Sequence, residues 1–409
     1  MDYIDLGKLY YVDRERYKAE YTSRFSSPDV IHLDFMVKKN QAFFVQTSEV
    51  SNLAIQILKT DKKIGKISGQ LPTVAIEQFT RRCLIDEIMV TNKIEGVHST
   101  RKEISGVLDE LSEHAEQPKK HRRFFGLVAE YVKLQERAEI ALNTCQDIRN
   151  LYDDIVLQDV LDENPDNAPD GKIFRKDSAS IATQTDKEIH RGVYPESAIC
   201  EEMDKALAVL KNDDIELLYR ASAFHYMLEY IHPFYDGNGR LGRFIVSYLL
   251  SQELDPLLAY RLSYTITQNI TAYYEAFKIC NEPKNLGDIT PFIIMMLRMV
   301  KESTEQLEAG LNRRLTRLRR YESLIGQLPC GENHRTGKLY YGLIQAELFA
   351  EHGISTKELE EYLEVSYTTV KNELAIAENA GLLKAKRVGK EKFYSLDLEK
   401  LDKTIFEKD

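Results

Sequence analysis

The chain has 409 residues, of which 43% are hydrophobic and 29% charged, and its formal net charge is −10. This composition is typical of a soluble globular protein long enough for two or three domains, and no stretch approaches the roughly 18–20 apolar residues of a membrane span. Five cysteines stand singly without metal-ligand spacing, which argues against a disulfide framework or a zinc site. With an acidic N-terminus where a signal peptide would be basic, these features predict a cytoplasmic protein without a membrane partner.

The first predicted region, residues 1–98, combines a hairpin with helices. Apolar and polar residues alternate in the eight residues from Val30, and a second apolar stretch begins at Ala42, with Lys-Asn between the two. This pattern predicts two short paired strands. Helical apolar spacing follows and continues through Ile94. The region closes with Thr-Asn-Lys-Ile-Glu-Gly, residues 91–96.

The second predicted region, residues 99–298, is mainly helical. Its helical periodicity breaks between Lys172 and Pro195, with a polar turn near Asp186, which predicts a β-hairpin. Helical spacing returns downstream and includes the adjacent pair Tyr273 and Tyr274.

Residues 232–243 read His-Pro-Phe-Tyr-Asp-Gly-Asn-Gly-Arg-Leu-Gly-Arg. Gly237 and Gly239 flank an asparagine, and such residues allow successive backbone N–H groups to turn toward one anion. The helical spacing that follows places a helix N-terminus, with the positive end of its dipole, at this cradle. Arg240 and Arg243 lie one helical turn apart, so both guanidinium groups can point at the same polyphosphate.

Two further residues of this segment suit the chemistry of phosphate esters. Asp236 is its one carboxylate and fits a Mg²⁺ ion that also takes phosphate oxygens. His232 can accept a proton near neutral pH, as a hydroxyl nucleophile requires. Each feature alone is common in ordinary turns, but their conjunction predicts phosphoryl or nucleotidyl transfer.

The last two predicted regions are a connecting helix with its linker, residues 299–335, and a C-terminal domain, residues 336–409. In the C-terminal domain, a helix beginning near Ile354 is followed by a turn, a second helix from Tyr367 and two strand-like stretches around Gly389. This order resembles a winged helix-turn-helix. In that fold the second helix enters the major groove of DNA and the wing faces phosphate. The residues concerned would be Tyr367, Thr368, Thr369 and Lys371 on the helix, and Lys386, Arg387, Lys390 and Lys392 on the wing.

Segment 232–243 resembles the signature of the Fic-domain proteins, His-x-Phe-x-(Asp/Glu)-Gly-Asn-Gly-Arg-x-x-Arg, at every fixed position. The resemblance implies a mainly α fold with a Fic-type helical core and a small β-hairpin flap. It also implies transfer of AMP from ATP to a Ser, Thr or Tyr hydroxyl of a protein. By this analogy His232 is the base and Asp236 holds Mg²⁺. The residues expected to bind ATP are Gly237, Asn238, Gly239, Arg240, Leu241, Gly242, Arg243 and, against adenine, Tyr274.

Residues 91–96 are similar to the inhibitory pattern of the same family, (Ser/Thr)-x-x-x-Glu-(Gly/Asn). In that family the Glu meets the second arginine of the signature and takes the place of the ATP γ-phosphate. The resemblance therefore implies that Glu95 pairs with Arg243 and inhibits the enzyme. The hairpin around Ile181 to Asp186 is similar to the family's flap, which receives the target protein by strand addition.

Alternatives to AMP transfer remain open at this stage. The same pocket can remove AMP from a modified protein, or it can sense ATP for a transcriptional regulator. From Thr336 onward, eleven Lys and Arg stand against fourteen Asp and Glu, which argues against strong DNA binding. Self-modification and a homodimer are also left open.

Overall fold

The structure is a computed structural model and describes residues 3–113, 123–182, 188–389 and 391–406, leaving aside the side chains of residues 180–189 and 404–406. It is 68% helical, which confirms the predicted mainly α class. The sheets of the described part are small, with two, two and three strands.

The chain divides into two compact units. The first unit contains residues 1–61 and 84–305, and the second contains residues 62–83 and 306–409. Neither unit is one continuous stretch, whereas the sequence predicts four consecutive regions. Three helices have residues in both units: α3 (Ser48–Ser68), α4 (Thr73–Ile94) and α14 (Thr290–Glu322).

The first unit carries most of the helices. Those that lie wholly within it are α1 (Leu6–Val12), α2 (Arg14–Phe25), α5 (Arg101–Glu113), α6 (Phe125–Gln135), α7 (Cys145–Tyr152), α8 (Gln158–Glu163), α9 (Glu196–Lys211), α10 (Leu217–Ile231), α11 (Asn238–Glu253), α12 (Leu262–Gln268) and α13 (Ile270–Asn281). A π-helical turn, Asp153–Leu157, joins α7 to α8. Among these elements, α10 and α11 are buried over nearly their whole length, and α11 buries Asn238, Arg240 and Arg243 together with its apolar residues.

The predicted N-terminal hairpin is confirmed. Strand β1 (Val30–Val37) pairs antiparallel with β2 (Asn40–Val45). From Leu33 onward β1 alternates between buried and exposed residues, as a strand with one covered face does. Lys38 adopts the left-handed backbone conformation in the turn, with φ 56°.

A second hairpin lies where the flap is predicted. Strand β3 (Ser180–Ala182) pairs antiparallel with β4 (Glu188–Arg191). Residues 183–187, which include the predicted turn near Asp186, lie outside the described residues. The next helix, α9, begins directly after the hairpin at Glu196.

The second unit contains α15 (His334–Phe349), β5 (Ile354–Ser355), α16 (Thr356–Leu363), α17 (Tyr367–Asn379), β6 (Leu383–Val388), β7 (Glu391–Leu396) and α18 (Leu398–Phe406). Its three strands form a sheet in the order β5-β7-β6. A capping box between Ser355 and Glu358 begins α16, where the sequence places a helix start. The order of elements is the one that the sequence predicts for this region, and Lys390, which is predicted to lie on the wing, is outside the described residues.

Among the helices that the structure describes, none is both long enough and apolar enough to cross a membrane.

Candidate active site

Short-range hydrogen bonds hold the loop between α10 and α11. Helix α10 ends at His232, which adopts the left-handed conformation with φ 52° and donates its N–H to the carbonyl of Leu228 at 2.8 Å. The Asn238 side chain closes the loop. Its Oδ1 accepts from the N–H of Phe234 at 3.0 Å, and its Nδ2 donates to the carbonyl of Phe234 at 2.9 Å. Gly237, with φ 81°, precedes the first residue of α11.

A cavity of about 860 Å³ opens beside this loop, entirely within the first unit. Its size is in the range of small-molecule sites. It is lined by Lys93, Ile94, Glu95, Gly96, His190, Glu229, Tyr230, His232, Tyr235, Asp236, Gly237, Asn238, Gly239, Arg243, Tyr273, Tyr274, Phe277 and Asn281.

The cavity brings together most of the residues that the sequence singles out. Those present are Glu95, His232, Asp236, Gly237, Asn238, Gly239, Arg243 and Tyr274. Arg240, Leu241 and Gly242 are described and buried in α11, but they are not among the lining residues. The roles that the resemblance assigns to these three residues stay predictions.

Arg243 is held by the end of α4. Its Nη1 lies 2.7 Å from Oε1 of Glu95, its Nε donates to Oγ1 of Thr91 at 2.9 Å, and its Nη2 donates to the Thr91 carbonyl at 3.0 Å. The guanidinium is 1% exposed and the Glu95 side chain 26% exposed. Burial is the largest single effect and lowers the pKa of Arg243, but the contact with Glu95, together with Tyr273 and Glu229, outweighs burial and raises the pKa.

Gly239 leaves room for this ion pair at the start of α11. A Cβ added at Gly239 would overlap Oε1 of Glu95 and would lie 2.9 Å from Nη1 of Arg243. The Glu95 carboxylate therefore sits against the backbone of the first turn of α11. A helix N-terminus favours negative charge at this place because its N–H groups lack partners within the helix.

His232 is a neutral base at ordinary pH in this setting. Its imidazole is largely surrounded by protein, and burial, then the charge of Arg175, then His190 lower its pKa to about 3. A hydrogen bond with the main chain of Glu229 acts in the opposite direction on this pKa. A neutral imidazole has one nitrogen without a proton, and that nitrogen can accept a proton from a nearby hydroxyl.

Arg240 points toward another carboxylate. It is fully buried, and its Nη1 lies 4.0 Å from Oδ2 of Asp159. The other oxygen of Asp159 accepts the N–H of Phe124 at 3.0 Å. The spacing of Arg240 and Arg243 is compatible with a shared polyphosphate, but packing directs the two guanidinium groups to different partners.

Asp236 is the cavity residue whose chemistry suits a magnesium ion. Its Oδ1 accepts the N–H of Gly237 at 2.5 Å. The described residues contain no group of three or more His, Cys, Asp and Glu side chains that could hold a metal. One carboxylate completed by phosphate oxygens and water is a usual way for proteins to bind Mg²⁺, so the donors present fit an ion that arrives with a nucleotide.

The aromatic pair on α13 divides between core and cavity. Tyr274 is 52% exposed and borders the cavity. Tyr273 is buried, and its hydroxyl lies 2.7 Å from Nε2 of His225. His225 is thus a hydrogen-bonded core histidine, and the stacking role of Tyr274 stays a prediction.

Several residues of the cavity were not predicted from the sequence, including Glu229, His190, Phe277 and Asn281. Glu229 could have been found, because it precedes His232 by three positions and so lies one helical turn away. The Asn281 Oδ1 accepts from the hydroxyl of Tyr226 at 2.7 Å, a contact between two helices that no local pattern indicates.

Glu229 has an unusual protonation equilibrium. Burial, and next the nearby Glu95, raise its pKa to about 8, while Arg243 lowers it. Its Oε1 is buried and has no hydrogen-bond partner among the described residues. At neutral pH this carboxyl is therefore mostly protonated.

We expect Glu229→Gln to stabilise the protein at high pH. The folded chain holds this proton up to about pH 8, whereas the unfolded chain releases it near the ordinary value of 4.5. Between these values the folded state binds more protons, so the free energy of unfolding falls as pH rises. Gln stays neutral and avoids that loss. The Tm difference between variant and wild type should grow from pH 5 to 8. A constant difference, or an equal trend in the exposed control Glu139→Gln, would contradict this assignment.

Comparison with known proteins agrees with the signature. Residues 142–250 match the profile of the Fic/DOC family. The chain contains a Fic domain. Two relatives named "Protein adenylyltransferase Fic" are similar to part of the chain. The one from Nematostella vectensis is 34% identical over 99 residues, 24% of this chain and 21% of its own length. The one from Drosophila grimshawi is 36% identical over 87 residues, 21% of this chain and 15% of its own length.

The matched range covers residues 232–243, the hairpin β3–β4, α9, α10 and most of α11, but Glu95 and Tyr274 lie outside it. The chain spans about a fifth or less of the length of these curated relatives. A solved structure, a Fic family protein from Desulfovibrio desulfuricans G20, is 20% identical, with a TM-score of 0.49 over 86% of this chain and 96% of that one.

Proposed function

We propose that the protein transfers AMP from ATP to a Ser, Thr or Tyr hydroxyl of a protein, and that Glu95 inhibits this reaction by pairing with Arg243. The observation that carries the proposal is the 2.7 Å contact between Glu95 and Arg243, in the same cavity as His232 and Asp236. The partial relatives named protein adenylyltransferase support the reaction class.

In the proposed reaction His232 removes the proton of the attacking hydroxyl. The hydroxyl oxygen forms a bond to the α-phosphorus, the bond from that phosphorus to the bridging oxygen breaks, and pyrophosphate leaves. The start of α11, with Gly237 and Gly239, provides an N-terminus whose dipole favours the phosphates. Asp236 would hold Mg²⁺, which when bound neutralises phosphate charge.

Inhibition is expected because Glu95 and ATP would compete for the same cation, the guanidinium of Arg243. The Glu95 carboxylate, which pairs with Arg243 and lies against Gly239, occupies the space that the terminal phosphate of ATP would take. It also neutralises the positive charge that would bind this phosphate. ATP would then bind weakly or in an unproductive position. Because Thr91 also holds the Arg243 guanidinium, removal of Glu95 should leave that guanidinium in place.

The target protein would dock on the flap. Strands β3 and β4 form a two-stranded sheet, and such a sheet has edges that can accept a further strand. Strand addition would bring the target backbone beside the cavity, which His190 of β4 borders. Modification of the protein by itself, in one copy or between two, remains part of this proposal, as does a cytoplasmic location.

The C-terminal domain gives little support to the alternative of an ATP-sensing transcriptional regulator. Lys371, on the helix predicted to enter the groove, donates to the hydroxyl of Tyr394 at 3.2 Å. On the predicted wing, Nζ of Lys386 lies 3.2 Å from Nδ1 of His352. Side chains engaged in this way, in an acidic domain, favour a protein partner over DNA.

The experiment that tests the proposal is the intact-protein mass of wild type, Glu95→Gly and Glu95→Gly/His232→Ala after incubation with ATP and Mg²⁺. A gain of one AMP in Glu95→Gly alone would support the reaction, the base and the inhibition together. A gain of one phosphate would instead mean that ATP binds in the reverse direction. No gain, even when candidate target proteins are added, would favour AMP removal or nucleotide sensing.

A further inference from the structure

Arg175 lies between the flap and the active-site loop and is fully buried. Its Nε donates to the carbonyl of His232 at 2.8 Å. Its Nη2 donates to the carbonyls of Val193 at 2.8 Å and Ile231 at 3.3 Å, and its Nη1 donates to the carbonyl of Asp177. One side chain therefore joins the end of α10 to the chain segments that enter and leave the hairpin β3–β4.

The partners of Arg175 are main-chain carbonyls. Among the described residues it forms no ion pair with a carboxylate, and burial lowers its pKa, with the nearby Tyr235 acting in the opposite direction. A buried cation is costly unless it is densely hydrogen-bonded. The carbonyls of Ile231 and His232 stand at the C-terminal end of α10, where unpaired carbonyls and the helix dipole favour a positive charge. Arg175 thus caps the helix that ends in the candidate base.

The chain leaving the flap passes directly against the base. A Cβ added at Gly192 would overlap the Arg175 guanidinium and would lie 3.0 Å from both Cβ of His232 and the carbonyl of Ile231. Backbone hydrogen bonds fix the same region: the N–H of Val193 donates to Ile231 at 3.0 Å, and the N–H of Arg175 donates to Pro233 at 3.2 Å. A side chain at position 192 would therefore displace the Arg175 guanidinium and crowd His232.

We propose that Arg175 is a positioning residue that fixes the backbone of His232 and the base of the flap to one another. This inference rests on the proposed function, which makes His232 the base and the flap the site of target docking. The base and the bound hydroxyl must meet within hydrogen-bond distance, and Arg175 sets the relation between the two chain segments that carry them. Arg175 does not border the nucleotide cavity, so its loss should affect transfer and not ATP binding.

The kinetic test uses Arg175→Met and Arg175→Lys in the Glu95→Gly background. We expect Arg175→Met to lower kcat by about 100-fold, because displacements of about 1 Å have effects of this order. The KM for ATP should stay within about twofold. Arg175→Lys should restore only part of kcat, because Lys keeps the charge but has a shorter reach. Arg149→Met is the matched control: Arg149 donates to the carbonyl of Ile173 at 2.8 Å and pairs with Asp153 at 2.8 Å. A parallel rise in KM, an unchanged kcat, or an equal loss in Arg149→Met would overturn the proposal.

A second measurement does not depend on activity. Hydrogen exchange of the amides of Gly192 and Val193, whose acceptors are Ala179 and Ile231, should be at least about tenfold faster in Arg175→Met than in Arg149→Met. Exchange equal to that of the control overturns the proposal. If Glu95→Gly shows no transfer at all, the proposed function fails while this measurement still decides the role of Arg175.

A third variant covers the case in which Arg175→Met does not fold. Gly192→Ala keeps Arg175 but displaces its guanidinium with one methyl group. It should also accelerate exchange of the Val193 amide and lower kcat at unchanged KM for ATP. Wild-type exchange and kcat in this variant would contradict the proposal.

Discussion

Replacing Glu95 with Gly is expected to raise the rate of AMP transfer by about 10- to 150-fold. A hydrogen bond between charged groups contributes about 1.5–3 kcal/mol, and each 1.4 kcal/mol corresponds to about tenfold. The contact at 2.7 Å to a buried guanidinium is of this kind. Its removal frees Arg243 for a phosphate, while the contacts from Thr91 keep the guanidinium oriented. Transfer of label from ATP labelled at the α-phosphate measures the effect.

Glu95→Gln is the graded control for this prediction. The amide keeps the size of the side chain and can still accept one hydrogen bond, but it lacks the charge that strengthens the pair. Its rate should lie between those of wild type and Glu95→Gly. A Glu95→Gly protein that is no faster than wild type, with a target protein present, would show that Glu95 does not inhibit.

His232→Ala in the Glu95→Gly background is expected to lower the transfer rate by about 10²- to 10⁴-fold, the range attributed to a general base. ATP binding should change little, since the candidate phosphate contacts come from α11 and Arg243. The lowered pKa keeps His232 neutral at pH 7, which is the form that accepts a proton. Rates of label transfer and the Kd for ATP, measured on the same preparation, separate the two effects.

The conformation of residue 232 requires its own control. With φ 52°, this position is strained for Ala, whereas Asn adopts the left-handed region more readily. His232→Asn should therefore fold as well as the parent and still lose transfer. If either variant retained transfer at the parental rate, His232 would not be the base. If His232→Ala bound ATP normally and kept every cellular effect of the protein, nucleotide sensing would replace transfer as the function.

Features that depend on neighbouring residues could be predicted from the sequence. The left-handed glycine at position 237 and the helix that starts after it were expected from Gly-Asn-Gly and the spacing beyond. The helix start at Ser355 and the hairpin at residues 30–45 belong to the same class. Each depends on a backbone preference or a hydrogen bond within a few positions, so short stretches carry enough information.

Features that depend on distant segments could not be predicted in this way. Their spacing allowed Arg240 and Arg243 to share a ligand, but in the folded chain Asp159 lies beside Arg240 and Glu95 lies beside Arg243. No sequence motif marked Arg175, because its partners are backbone carbonyls, which every residue possesses. Helical spacing from His232 could have placed Glu229 beside the site, but the raised pKa of its carboxyl depends on burial and on Glu95, which is distant in the chain.

The amino-acid sequence alone thus determined the chemical inventory of the site: a histidine, a carboxylate, a glycine-flanked helix start and two arginines within residues 232–243. The pairing of Glu95 with Arg243 was implied by family resemblance, but its 2.7 Å geometry exists only in the folded chain. Only the tertiary structure decided which guanidinium faces the cavity, how strongly His232 and Glu229 are desolvated, and that Arg175 joins the ends of the hairpin β3–β4 to the main chain of His232. The physical reason is that side-chain direction, burial and electrostatic environment arise from the packing of segments far apart in the chain, whereas turns and helix ends arise from residues in immediate succession.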